Sequence, residues 1–260
     1  MTPEQQAEEI VSAFKLTLPI GLDIIIEEEG IVPREIDGNF DARIEYHPGD
    51  STDEDLYLLF HAPVSARNPI GRQRFSIAHE LGHFYLERHR KELHGGKLWT
   101  HKSSPSAVHT SMEREANAFA ASLLMPFQQV RRRFHCHGLD LEEICDLATL
   151  CQTTLRATAS RYTQVTDEPC GVIVTHRSKV KWKCFSPEAR QRGYGWEVVS
   201  IAPQFSGVRQ ILDNPSHKIV KKTLRTGAWL TGDRKSLSAH EESIGLNGDW
   251  VLTMLFWDFP

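Results

Sequence analysis

A single change of periodicity constrains this chain more than any other feature. Up to Tyr162 the apolar residues recur mostly at helical spacing, and after Pro169 they fall into short runs of β character. Five of the six tryptophans lie in that last section, which therefore needs a core of its own. The fold class expected is α+β, and 260 residues suit two domains, or one with an appendage.

Hydrophobic residues make up 40% and charged residues 25%, which excludes a wholly disordered, collagen-like or coiled-coil chain. The apolar runs are too short to cross a bilayer, and Glu4, Glu8 and Glu9 stand where a secretory leader would be basic and apolar. A cytoplasmic location without membrane contact is expected. The five cysteines, Cys136, Cys145, Cys151, Cys170 and Cys184, are odd in number and lack CxxC spacing, so reduced thiols are expected. His135, Cys136 and His137 resemble a metal motif, but neighbouring residues point in different directions. Charge is uneven: 15 acidic and 3 basic side chains precede residue 61, against 19 and 27 after it. An acidic cap on a mildly basic body follows, most of it solvated surface.

The spacing predicts helices over residues 3–14 and 21–30, strands over 39–46 and 56–62, and a helix over about 72–90 whose core face carries Phe75, Ala78, Leu81 or Gly82, and Tyr85. Pro33 interrupts the pattern between the second helix and the first strand. Residues 95–110 lose periodicity. Ser111 is a candidate N-cap for a helix reaching Met125, with Ala116, Phe119, Ala120, Leu123 and Leu124 on one stripe and Pro126 limiting it. Further helices are expected over 128–134, 140–150 and 153–162, and β runs over 170–176, 180–185, 196–201 and 250–257. Lys179, Lys181, Lys183, Lys221, Lys222 and Arg225 alternate with apolar residues, as on the wet side of a sheet.

The chemistry lies in His79-Glu80-Leu81-Gly82-His83. At about 3.6 residues per turn, two histidines four apart stack on one helix face and can bind one metal ion, with Glu80 displaced around the helix but able to reach a bound water. Both histidines avoid the face that Phe75, Ala78 and Leu81 are expected to bury. A downstream helix offers a third ligand. Glu113 and Asn117 lie one turn apart, so the carboxylate can bind while the amide orients a neighbour; Glu115 is the rival, rotated most of the way round, and helix geometry favours Glu113.

The stretches RFSIAHELGH at 74–83 and EREANAFAASLLMP at 113–126 resemble the ImmA/IrrE family of metallo-endopeptidases, and the likeness extends from the N-terminus to about Tyr162. The resemblance implies a minimal zincin-like core, Zn2+ held by His79, His83 and Glu113, and Glu80 as the catalytic carboxylate. It implies peptide-bond hydrolysis, with Glu80 taking the proton of the attacking water and passing it to the leaving amine. Characterised members act on helix-turn-helix repressors in mobile-element induction and stress responses. An oxyanion donor is not assigned; His101 and His109 are candidates. In zincin architecture a strand edge takes the substrate as an added strand, and residues 56–62 are the candidate for that role or an ordinary core strand. Gly82 is expected to allow close packing of strand on helix.

Three domains are expected: 1–130, a zincin-like metallopeptidase; 131–165, a helix-turn-helix-like helical extension; and 166–260, a β-rich C-terminal domain that is sensor-like by analogy with a GAF-like domain in the family's radiation-response branch. The substrate expected is a separately encoded repressor, since the peptidase has no further DNA-binding module before it. Two alternatives differ in class. One is a DNA-binding regulator using Arg156 and Arg161 with Arg131, Arg132 and Arg133 nearby; few basic residues on the second helix argue against it. The other is a metal-bound scaffold without turnover.

Overall fold

Thr2 starts the first helix with a reciprocal cap. Its hydroxyl accepts from the Gln5 backbone N–H at 3.2 Å, the Gln5 side chain accepts from the Thr2 N–H at 2.9 Å, and Pro3 follows where no N–H is needed. The computed structural model describes residues 1–38, 40–49, 54–66, 68–96, 111–133, 140–194, 197–215, 218–231 and 238–257. The chain forms two compact units, Met1–Val130 with Ala148–Thr154, and Arg131–Leu147 with Leu155–Pro260.

The first unit contains α1 (Pro3–Ala13), α2 (Leu22–Glu28), β1 (Val32–Glu35), β2 (Ala42–His47), β3 (Leu56–His61), α3 (Ile70–Tyr85), α4 (Glu87–His94), α5 (Ser111–Leu124) and α6 (Phe127–Arg131). Its sheet runs β1-β3-β2, with β3 parallel to β1 and antiparallel to β2. The strand expected to offer a free edge is therefore the middle one, its ladder groups taken on both sides. Pro33, read as a break, lies in the edge strand β1, where a missing N–H is tolerated.

The helix α3 packs against β2 and β3 and against α5. It is buried on all sides from Ser76 to Phe84, so the face of His79 and His83, distinct from that of Ala78 and Leu81, is buried as well, covered by α5. Gly82 permits helix on helix, not strand on helix: a Cβ there would lie 3.2 Å from Ala116 Cα and 3.2 Å from the Phe119 ring. The single helix expected over 72–90 is two. Leu86, at φ −70° and ψ 113°, is extended and separates α3 from α4. The stripe Ala116, Phe119, Ala120, Leu123 and Leu124 is buried as the spacing requires, and Ser111, read as a cap, is itself helical.

The second unit holds most of α7 (Leu141–Cys151), then α8 (Leu155–Val165), β4 (Cys170–His176), β5 (Lys179–Phe185), α9 (Pro187–Gln191), α10 (Gly207–Asp213), β6 (Val220–Arg225), β7 (Ser238–Gly245) and β8 (Trp250–Trp257). Its sheet is antiparallel in the order β5-β4-β8-β7-β6. The central strands β4 and β8 are buried almost throughout, and the core includes Tyr194, Trp229 and Trp257. On the edge strand β5, Lys179, Lys181 and Lys183 are exposed and alternate with more buried residues, as the spacing predicts. Residues 198–201 contribute isolated bridges, Val198 to Leu230 and Ile201 to Lys179, and not the strand expected. Helices plus two sheets, with strands dominating the C-terminal part, make the chain α+β. No described helix is long and apolar enough to cross a membrane.

Candidate metal centre

Four residues apart on α3, His79 and His83 have their Nε2 atoms 3.1 Å apart. From α5, Glu113 brings its two carboxylate oxygens to 3.2 Å from His79 Nε2 and 3.6 Å from His83 Nε2. One donor atom from each residue lies within 4.8 Å of the other two, and among the described residues this is the cluster with the spacing of a metal site. Both histidines are buried and Glu113 is about a quarter exposed. The turn-spacing of α5 sets Asn117 beside the same site, where its Oδ1 lies 3.1 Å from His79 Nδ1. An amide oxygen only accepts, so Nδ1 carries the proton of a neutral His79 and Nε2 presents a lone pair.

The donor set tests the fit to a cation. Two imidazole nitrogens and a carboxylate oxygen within 4.8 Å of one another can share one cation, and two nitrogens with one oxygen is a catalytic zinc set. Glu80 points the same way. It is fully buried, its Oε2 accepts the Ile44 backbone N–H of β2 at 3.0 Å, and its Oε1 has no partner among the described residues. Burial and then the charge of Glu113 push the Glu80 carboxyl well above the usual range, against the Ile44 hydrogen bond. An adjacent cation would oppose both causes. Burial pushes His83 down to about 4, so its ring is neutral near pH 7, as ligation requires. Burial would raise the Glu113 carboxyl, but it is held well below the usual range by the two rings while their Nε2 atoms carry protons, a role that passes to the cation once the rings ligate.

The rival carboxylate has a different partner. Glu115 Oε2 lies 3.1 Å from His89 Nε2, and His89 Nδ1 lies 3.1 Å from His83 Nδ1. His89 is not legible in the sequence as part of the site, because a residue six positions past His83 has no place beside it on a continuous helix. His101, His109, His135, Cys136 and His137 lie outside the described residues. Cys145, Cys151, Cys170 and Cys184 form no disulfide among the described residues.

Of the residues read as a phosphate-contacting face, Arg161 is buried at 6% exposure, whereas Arg156 is exposed, with its guanidinium 4.8 Å from the centre of the Trp182 ring. Both belong to α8, which packs on β4 and β5.

Residues 40–163 match the family model Peptidase_M78, the IrrE N-terminal-like domain. Nothing matches among curated proteins. Among solved structures, a Mycobacterium tuberculosis transcriptional regulator is similar over 98% of this chain and 76% of its own, with a TM-score of 0.60 and 15% identity, a likeness of fold.

Proposed function

For a chain that belongs to the Peptidase_M78 family, we propose the activity of a zinc-dependent endopeptidase that cleaves a protein substrate, a helix-turn-helix repressor. The observation that carries this reading is the convergence of His79, His83 and Glu113 near a buried carboxylate with one oxygen unpartnered among the described residues. In this reading His79 and His83 through Nε2 and Glu113 through its carboxylate hold Zn2+. Bound there, the ion supplies a Lewis acid that acidifies a water molecule and polarises the scissile carbonyl.

The chain's own residues do the rest. Glu80 is anchored at Oε2 by Ile44, which leaves Oε1 to take the proton of the attacking water and later give it to the leaving amine. Asn117 fixes the His79 ring, and burial of both histidines excludes bulk water from the ligating side. The substrate adds to β2. That strand is an edge of its sheet, and its Ile44 N–H reaches Glu80, so the backbone groups of Ala42 and Tyr46, two residues either way, face the same side. Residues 1–130 carry hydrolysis, 131–165 form a helical extension and 166–260 a β-rich domain suited to sensing. The transcriptional setting rests on the family and on the likeness of fold to a transcriptional regulator.

The test compares the zinc-loaded full chain with Glu80→Gln in a cell extract, reading new protein N-termini by mass spectrometry. Cleavage by the wild type, absent from a variant that keeps its metal, is the expected result. Equal cleavage by Glu80→Gln overturns the reading.

A further inference from the structure

His83 is held from behind by a relay whose direction is fixed by its last member. We infer that His89 and Glu115 are positioning residues that keep His83 in its Nδ1-protonated tautomer, so that Nε2 reaches the cation site as a lone pair. The inference rests on the metal reading above and deepens it.

From Glu115 inwards, each partner fixes the next proton. An ionised carboxylate only accepts, so the 3.1 Å contact puts the proton of His89 on Nε2. A neutral imidazole has one N–H, so His89 Nδ1 is then an acceptor. The 3.1 Å contact to His83 Nδ1 must be donated by His83, and its Nε2 is left bare. That bare nitrogen lies 3.1 Å from His79 Nε2 and 3.6 Å from Glu113 Oε1. The relay is one of two neutral rings, both fully buried. His89 is no fourth ligand, because it meets His83 on Nδ1, the nitrogen that does not face Glu113.

The break between two helices makes this contact. On an unbroken helix, residue 89 would be turned about 240° from residue 83 and displaced by about 9 Å. The extended Leu86 ends α3, and α4 returns His89 to the back of His83. The two candidate ligands on α3 thus receive different supports from α5. Asn117 serves His79 with a neutral amide, and Glu115 serves His83 with a charge transmitted through an imidazole, which raises the basicity of Nε2. Glu113 and Glu115, rivals in the sequence, act on opposite sides of one histidine.

The test uses the full chain and two readouts: the His83 tautomer in metal-free protein, from long-range proton–nitrogen NMR, and zinc affinity, from chelator competition. Wild type should show the proton on Nδ1. His89→Leu should mix the tautomers and weaken zinc binding about 10- to 100-fold, while His89→Asn, whose Oδ1 can accept in place of Nδ1, should restore both. A folded His89→Leu variant with the wild-type tautomer and affinity overturns the inference, as does a wild-type His83 protonated on Nε2. If His89→Leu does not fold, Glu115→Ala decides at a partly exposed position: mixed His83 tautomers support the relay and an unchanged tautomer refutes it. Wild type that binds no zinc refutes the metal reading, and the NMR of the metal-free chain still decides the relay.

Discussion

Each unit buries a glutamate completely, and the two are treated in opposite ways. In the second unit Glu241 is saturated: Oε1 accepts from the Gly207 N–H at 2.5 Å and the Ser243 hydroxyl at 3.0 Å, and Oε2 accepts from Trp229 Nε1 at 2.7 Å. In the first unit Glu80 has the Ile44 N–H on Oε2, and Oε1 is left unpartnered among the described residues. Burial raises both carboxyls. A carboxylate with all its donors supplied organises the structure around it, whereas one with an open valence is prepared for a proton or a water.

The largest effect expected from this contrast is on turnover. Glu80→Gln should lower peptide hydrolysis by about 10³-fold, the range of a lost general base, with the metal content of the wild type by atomic absorption. Loss of metal together with activity would make Glu80 structural, like Glu241, and break the comparison. Next, His79→Ala and Glu113→Ala should each reduce bound zinc to a trace after dialysis, whereas Glu241→Ala should leave it at the wild-type level. Retained zinc in Glu113→Ala would remove that carboxylate from the site.

The third effect is on stability. Glu241→Ala orphans donors from Trp229, Gly207 and Ser243, and should cost about 3 kcal/mol in urea unfolding. An unchanged midpoint would show that water replaces the carboxylate. The smallest effect is a slope. Burial raises Glu241 against the pull of its donors, so the folded chain holds that proton more tightly than the unfolded chain does. The associated stability is complete below the unfolded value of 4.5 and is lost as pH rises through the folded one. Thermal melts should therefore show a contribution declining upward from about pH 4.5 that Glu241→Gln flattens. A decline that persists in Glu241→Gln would assign it elsewhere.

Wherever one helix face or one strand run was enough, the sequence was legible. The i, i+4 pair His79 and His83, the stripe from Ala116 to Leu124 and the strands β4 and β8 are patterns within single elements. The break at Leu86 was not, because no glycine or proline marks it and the residues on both sides suit a helix. The central place of β3 was hidden for another reason: an apolar strand reads alike in the middle of a sheet and at its edge, and β1, with Pro33, did not announce itself as a partner. His101 and His109 lie outside the described residues.

Alone, the sequence determined that two imidazoles share a helix face and that a carboxylate and an amide share another, since backbone spacing fixes the direction of side chains a turn apart. Tertiary structure decided which carboxylate meets which imidazole, that β2 and not β3 lies beside Glu80 at an edge, and that His89 returns behind His83. Those contacts join residues that local geometry leaves independent, and only the packing of α3 between its sheet and α5 brings them within hydrogen-bonding distance.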